Sequence, residues 1–437
     1  MNGQVFGTAW YRFRATFRRR LGGYLTVILL IGLLGGLAMG AIAGARRTQS
    51  SFSTYLTSTN SSDLDVDVYP HSGTPPPSSS AYYRRLATEF AHLPDVTRVA
   101  SYDAAIFAVP IRPDGAPNLL PAFNNDDVAT IGSVNREYFS QDRVAVTQGR
   151  LANPGRANEF VASAEAAHLL GWHVGEVVPL GFYTFQQATS SGFGTPKVRP
   201  YLRISATLTG IVVFQSEVVS DDVDRFPVNV LFTPALTQRI AHAAYYPIYA
   251  LRLDQPSDVT AVEQHIIRLL PRDTTYNVHL TSVVEGEVQR AIKPEGIALG
   301  VFGAIAGLAA LLIAGQAIGR GLQINGEDLE VLRALGAAPR ASIADGLLGA
   351  FATVLVGSLL AAVVAVGLSP LAPIGPVRQV DPSPGFAFDW TVLAAGLAVL
   401  ILGLGALTVA LSYWGSPHRR VARRRRRPTE RASCIGT

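Results

Sequence analysis

The residue types that could do chemistry in this chain are few, and their spacing argues against catalysis. Lys197 and Lys293 are the only lysines among 37 basic residues. A phosphate-binding loop needs glycines and a lysine, so that backbone amides and an ammonium hold the phosphates. Neither lysine has that setting: Lys197 stands in GFGTPKV and Lys293 in RAIKPEG. Of the eight histidines the closest pair is His168 and His173, which misses the helical i, i+4 spacing of a zinc-protease pattern. Asp221, Asp222 and Asp224 lack the glycine and terminal glutamate of a calcium loop and read as a solvated turn. No Gly-x-Ser-x-Gly nucleophile elbow occurs in the sequence. The expectation is a chain that is not an enzyme, with no catalytic or metal-binding residue assigned.

The remaining charged cluster is GEDLEVLRALGAAPRASI, Gly326 to Ile343, set between two apolar runs. Asn325 or Gly326 can cap a helix. Glu327, Asp328 and Glu330 fall in its first turns, where negative charge suits the helix dipole, and Gly336 can end it, with Pro339 beyond. At 100° per residue Leu329, Val331, Leu332 and Leu335 fill one arc, and Glu327, Glu330 and Arg333 the other. A helix lying on lipid favours a polar face of Lys and Arg. An acidic face with one arginine points instead to a protein partner.

The elements that hold this helix are membrane spans. Charged residues make up 16% of the chain, well below the roughly 25% of an average soluble domain. Four stretches carry no charge at all: Leu21 to Ala45, Gly296 to Gly319, Gly346 to Leu368, and Trp390 to Trp414. Each meets the roughly 20 residues needed to cross a hydrocarbon core. Arg12, Arg14, Arg18, Arg19 and Arg20 precede the first, and a run of arginines from Arg419 to Arg431 follows the last, so both termini are expected in the cytoplasm. Arg320, Arg333 and Arg340 follow the second span and Arg378 alone follows the third, which keeps the alternation. The small-residue run AIAGA at Ala41 to Ala45 leaves a cleaved signal peptide as an alternative for the first span, although its apolar part is longer than such peptides use.

The expected plan is therefore a multi-pass plasma-membrane protein. Residues 1–20 form a basic cytoplasmic start, 21–45 the first span, and 46–293 an extracytoplasmic domain. Residues 294–319 form the second span, 320–342 the cytoplasmic helix loop, 343–368 the third span and 369–389 a short outer loop. Residues 390–414 form the fourth span and 415–437 an arginine-rich tail. In the large segment, DLDVDVYP alternates as a half-buried strand does, Tyr82, Leu86, Phe90 and Leu93 follow at helical spacing, and VTRVASYDAAIFAVPI reads as one strand or a strand pair. The grammar recurs through RISATLTGIVVF and a helix capped at Ser257 or Asp258, which makes this an α+β domain. Cys434 is the only cysteine and lies in the tail, so the domain depends on a packed core, and its size allows two lobes.

Within the spans, Gly32, Gly36, Gly40 and Gly44 recur every four residues along one side of the first helix, where another helix can approach closely. Gly300, Gly303, Gly307, Gly315 and Gly319 give the second a looser version. Whether the partner lies in this chain or another is open. Glu295 and Asp345 sit at span ends, where the interface can solvate them. The basic tail next to a span needs no nucleic acid to explain it; membrane lipid headgroups suffice.

EDLEVLRALGAAPRASI closely resembles the coupling-helix signature of FtsX-like (MacB-type) ABC transporter permeases. The segment QGRLANPGRANEFVASAEAAHLLGWHVGEVVPLG is similar to a stretch of that family's outer domain, with Gly149, Arg150, Glu159, Gly171, Val174, Gly175 and Glu176 in the matching places. The resemblance implies four transmembrane helices with the large α+β domain between the first and second. It implies coupling of ATP hydrolysis by a separate ABC ATPase subunit to movement of that domain, through Glu327, Asp328, Leu329, Glu330, Val331, Leu332, Arg333, Leu335 and Gly336. It further implies pairing with a second permease module, as a homo- or heterodimer, and a lipid, lipoprotein or peptide cargo. ATP and Mg would be used by the partner, with no cofactor bound by this chain. Two departures stand out. RGLQINGED has fewer basic residues before the coupling helix than the family usually shows, and many relatives carry further spans, so the chain reads as a single-module permease or the first half of a longer one. A non-transporting scaffold or signalling protein that regulates envelope or cell-wall partners is the alternative.

Overall fold

In a computed structural model the chain is described over 2–70, 80–120, 128–219, 228–270, 274–334 and 339–414, with the side chains of 2–20, 70, 322–334, 339–348 and 412–414 excepted. The chain opens with α1 (Asn2–Thr59), β1 (Leu64–Pro70), α2 (Ala81–Ala91), β2 (Val96–Ala104), β3 (Ala108–Pro110) and β4 (Val128–Val134). It continues with β5 (Ala145–Gly149), β6 (Glu159–Ser163), α3 (Ala164–Leu170), β7 (Val177–Phe182), α4 (Phe185–Ala188), β8 (Leu202–Val213) and β9 (Val228–Phe232). Then follow α5 (Pro234–Arg239), β10 (Tyr246–Leu253), α6 (Val259–Leu269), β11 (Thr274–Leu280), α7 (Thr281–Ala334), α8 (Pro339–Leu368) and α9 (Trp390–Trp414). Four of the described helices are long and apolar enough to cross a membrane, at Leu21–Thr59, Thr281–Gly321, Gly349–Leu371 and Trp390–Leu411. A large α+β domain lies between the first and the second.

The chain divides into two compact units. One comprises 1–48, 294–374 and 384–437, the other 49–293 and 375–383. The helical unit is packed around Ile31, Met39, Ala314, Val354, Ala361 and Leu404, all buried. Here α7 runs unbroken through Asn325 and Gly326 to Ala334, so the expected cap and separate short helix are not formed. The physical reason is local: no proline interrupts GRGLQING, and a glycine inside a helix costs only about 1 kcal/mol. Pro339, whose missing N–H is harmless in a first turn, opens α8.

The sheet unit carries an eleven-stranded mixed sheet in the order β11-β1-β10-β2-β4-β9-β6-β8-β7-β3, with β5 added on β8. The pairs β4–β9 and β6–β8 are parallel and the others antiparallel. Alternation in β1 sends Leu64, Val66 and Val68 to a core shared with Tyr83, Leu86 and Phe90 of α2 and Val262 and Ile266 of α6. Asp65 and Asp67 therefore belong to the opposite face. A second core joins Phe160, Phe182, Leu208 and Phe232 to α3 and α5. Strands β2 and β3 are separate, as one of the two sequence readings had it, but they take different partners: β2 pairs with β10 and β4, β3 with β7. Asp258 stands at the start of α6 without a side-chain capping bond.

Candidate functional site

Glu327, Asp328, Leu329, Glu330, Val331, Leu332 and Arg333 lie on the last turns of α7, with side chains outside the described set. Leu335 and Gly336 lie outside the described residues altogether. The four glycines of α1 all back onto neighbours within this chain's helical unit. A Cβ at Gly32 would stand 2.5 Å from Leu360 Cδ2, and one at Gly36 would stand 2.5 Å from Val364 Cβ and 2.8 Å from the Ala361 carbonyl oxygen. At Gly40 the nearest atom is Leu368 Cδ1 at 3.3 Å, and at Gly44 it is Ala372 Cβ at 3.4 Å. α1 also meets α7, where a Cβ at Gly303 would stand 2.9 Å from the Ala38 carbonyl oxygen, and α9, where Gly35 faces Leu400. The first span thus meets each of the other three.

A site not foreseen from the sequence lies at the foot of the sheet unit. Phe52 and Tyr55 from the end of α1, Val288 and Ile292 from the start of α7, and Val377 and Val380 from the turn between α8 and α9 bury themselves in one apolar cluster with Val213 and Val218. Val377 and Ile292 are 0% exposed. Every chain segment by which a membrane helix enters the sheet unit therefore ends in the same cluster. The usable signal was PVRQV, Pro376 to Val380, in which two valines three apart share one side of a short helical turn.

Above that cluster a polar clasp holds the turn between α1 and β1. Asp142 Oδ1 accepts from the Ser62 amide at 2.8 Å, from Ser61 Oγ at 3.1 Å and from Gln215 Nε2 at 3.1 Å. The Asp142 and Arg143 amides donate back to the Asn60 and Thr59 carbonyls, and the Arg143 guanidinium donates to the Ser58 carbonyl. The first residue of α7 is fixed to the same turn: the Thr281 amide donates to the Asp63 carbonyl at 3.1 Å and its hydroxyl to that of Ser62 at 2.8 Å. Asp63 in turn accepts from the Leu253 amide of β10 at 2.7 Å. The loop that supplies Asp142 is bent through left-handed backbone at Asn135, Arg136, Tyr138 and Asp142, with φ from 46° to 66°. Such non-glycine conformations cost roughly 1–3 kcal/mol each and persist where surrounding contacts over-determine them.

Charge at the foot is mostly negative and poorly hydrated. Burial, partly offset by the amides of Phe214 and Asn229, raises the Glu217 carboxyl to about 7. Burial likewise raises Asp63 and Asp65, the latter also through the charges of Asp142 and Asp67. A hydrogen bond to Asp67 raises His279. Among the described residues no group of three or more His, Cys, Asp or Glu is arranged to hold a metal ion.

The family-like segment serves as a brace. Glu159, with a 5% exposed side chain, accepts from Arg150 at 2.8 and 2.9 Å, from Arg156 at 2.9 Å and from the Asn153 amide at 2.9 Å. Those arginines, Arg150 first, hold its carboxyl at about 2. Gly171 ends α3 in left-handed backbone, and the Gly175 amide bonds the Leu208 carbonyl at 2.7 Å.

No family model matches this sequence, and no curated protein matches it. Among solved structures the chain is similar to the extracellular domain of a noncanonic ABC-type transporter, YknZ, from Gram-positive bacteria, at 12% identity and a TM-score of 0.27, over 49% of this chain and 99% of that one. It is also similar to a domain described as part of a permease protein from Porphyromonas gingivalis, at 11% identity and a TM-score of 0.26, over 50% of this chain and 90% of that one.

Proposed function

We propose that this chain is the membrane subunit of an ABC transporter of the FtsX-like, MacB-type kind, and that it passes motion from a separate ATPase to its sheet domain. The observation that carries the mechanical part is the foot cluster. Phe52 and Tyr55, Val288 and Ile292, and Val377 and Val380 bring the end of α1, the start of α7 and the α8–α9 connection into one packed group. Packed interiors deform little, so a displacement of any one of these segments is felt by the other two and by β8 beneath them.

In this reading the ATPase grips the acidic segment 327–336, which begins on the last turns of α7, and nucleotide-driven closure displaces α7 and α8. No substrate need pass between the spans. ATP and Mg belong to the ATPase, and a second permease module completes the assembly. Both termini and the 320–342 loop face the cytoplasm, and 46–293 faces outward, where a lipid, lipoprotein or peptide is handled.

The experiment is to express the chain with its ATPase and compare Leu332→Asp and Arg333→Glu with the unaltered pair. The expected result is an intact, membrane-inserted chain with loss of ATPase copurification and of transport-linked activity. Unchanged copurification and activity in both variants would remove the coupling role from this helix. Retention of biological function when the ATPase is catalytically dead would favour the scaffold alternative.

A further inference from the structure

The turn after α1 is surrounded by carboxyl groups. Asp63 lies in it, Asp65 and Asp67 come from β1, Glu137 and Asp142 from the loop after β4, and Glu217 from the turn after β8. The charged and titratable groups facing them are His279 of β11 at 3.4 Å from Asp67, Tyr69 of β1, whose hydroxyl donates to Asp67 at 3.1 Å, Tyr246 and Arg252 of β10, the latter acting on Asp63, Tyr55 of α1, Tyr102 of β2 and Tyr138. The nearby arginines are engaged elsewhere, Arg143 with the Ser58 carbonyl and Arg98 with Ser140 Oγ at 2.8 Å.

Within this group Glu137 is 1% exposed; neither of its carboxyl oxygens has a well-formed hydrogen bond, and the one backbone donor acting on it is the Tyr138 amide. Asp142 is 6% exposed; its Oδ1 takes three hydrogen bonds and its buried Oδ2 takes none. The two side chains are hydrogen-bond neighbours. Two buried carboxylates side by side, each short of a donor, are not both charged. One proton between them gives Asp142 Oδ2 its donor and occupies one of the two Glu137 oxygens.

We infer that Glu137 and Asp142 hold a single proton between them at neutral pH, as an acid–carboxylate pair, and that this proton fastens the 135–143 loop to the turn after α1. The Glu137 O–H donates to Asp142 Oδ2, while the Asp142 charge remains on the oxygen that receives Ser62, Ser61 and Gln215. Burial first, and the Asp142 charge second, raise Glu137 well above the ordinary carboxylate range. When the proton leaves to solvent at higher pH, two charges share one pocket with Asp65, and the clasp loosens. The inference stands independently of any ATPase.

The test is infrared spectroscopy of the full chain in lipid nanodiscs across a pH series, read at the C=O stretch of protonated carboxylic acids. The expected result is an acid band that persists at neutral pH, survives Glu217→Gln and Asp65→Asn, and is lost in Glu137→Gln. Asp142→Asn, which removes the neighbouring charge, should move that band's titration down by a unit or more, about tenfold in proton affinity. Amide exchange at 59–63, corrected for intrinsic rate, should rise about tenfold at alkaline pH in the unaltered chain and stay flat in Glu137→Gln. Absence of a band that Glu137→Gln removes would overturn the inference. So would loss of the band on adding calcium at neutral pH, which would assign the pocket to a cation.

Discussion

The backbone amide of Ser62, just past the end of α1, donates to the buried carboxylate of Asp142 at 2.8 Å. Residues 80 positions apart are thereby joined where the first membrane helix becomes the first strand. The Thr281 hydroxyl closes the other side of the same turn, so the turn is held from both long helices.

Removing the acceptor should weaken this joint specifically. Asp142→Ala leaves the Ser62 amide without its partner and is expected to cost about 2 kcal/mol, since hydrogen bonds to charged groups contribute roughly 1.5–3 kcal/mol and the loss of one acid from a crowded group offsets part of it. Asp142→Asn keeps an acceptor oxygen and should cost less. Thermal unfolding of the purified chain checks this; equal melting of Asp142→Ala and the unaltered protein would contradict it.

Glu217 should give stability a pH dependence. Its folded value of about 7 lies above its unfolded one, so the folded state holds a proton that the unfolded chain releases. Stability is therefore highest below the unfolded value and declines as pH rises through the window up to about 7, by no more than about 3 kcal/mol. Glu217→Gln should raise the melting temperature near pH 8 and leave it unchanged in acid. The opposite order would show that its amide contacts outweigh burial.

Glu159 should behave the other way. Its lowered carboxyl contributes stability that is present above the ordinary carboxylate range and is lost only as pH falls towards about 2. Arg150 and Arg156 are more than half exposed and stay solvated without their partner, so Glu159→Gln should destabilise the sheet unit by only about 1–2 kcal/mol at neutral pH. A loss under about 1 kcal/mol would mean that the neutral amide satisfies both arginines.

The glycine face makes a graded prediction. At Gly36 a new side chain meets the Ala361 backbone as well as Val364, whereas at Gly23 a Cβ meets nothing within 4 Å. Gly36→Leu should weaken the packing of α1 on α8 by about 1–3 kcal/mol, Gly40→Leu less, and Gly23→Leu not at all. Cysteine cross-linking between α1 and α8 in membranes reads this directly; the same cross-linking in all three would count against it.

Much of the fold was legible because its signals are local. Uncharged stretches of span length give the four long helices, and alternation in LDVDVYP sets Leu64, Val66 and Val68 apart from the two aspartates. The order of eleven strands was not legible, since β4 meets β9 and β6 meets β8 through pairings distant in sequence. The end of α7 was misjudged because Asn325 and Gly326 look like a cap, while nothing in the sequence blocks the helix from running past them. At the foot, Val377 and Val380 looked like loop residues, and only the cluster they enter gives their spacing a meaning. Asp142 carried no local signal at all; its three donors come from the turn after α1 and the turn after β8.

The central claim is best tested by affinity purification of this chain from its native membranes, with identification of what accompanies it. The account predicts an ATP-binding cassette subunit that is recovered with the unaltered chain and lost with Arg333→Glu. Recovery of envelope proteins without any ATPase would contradict it.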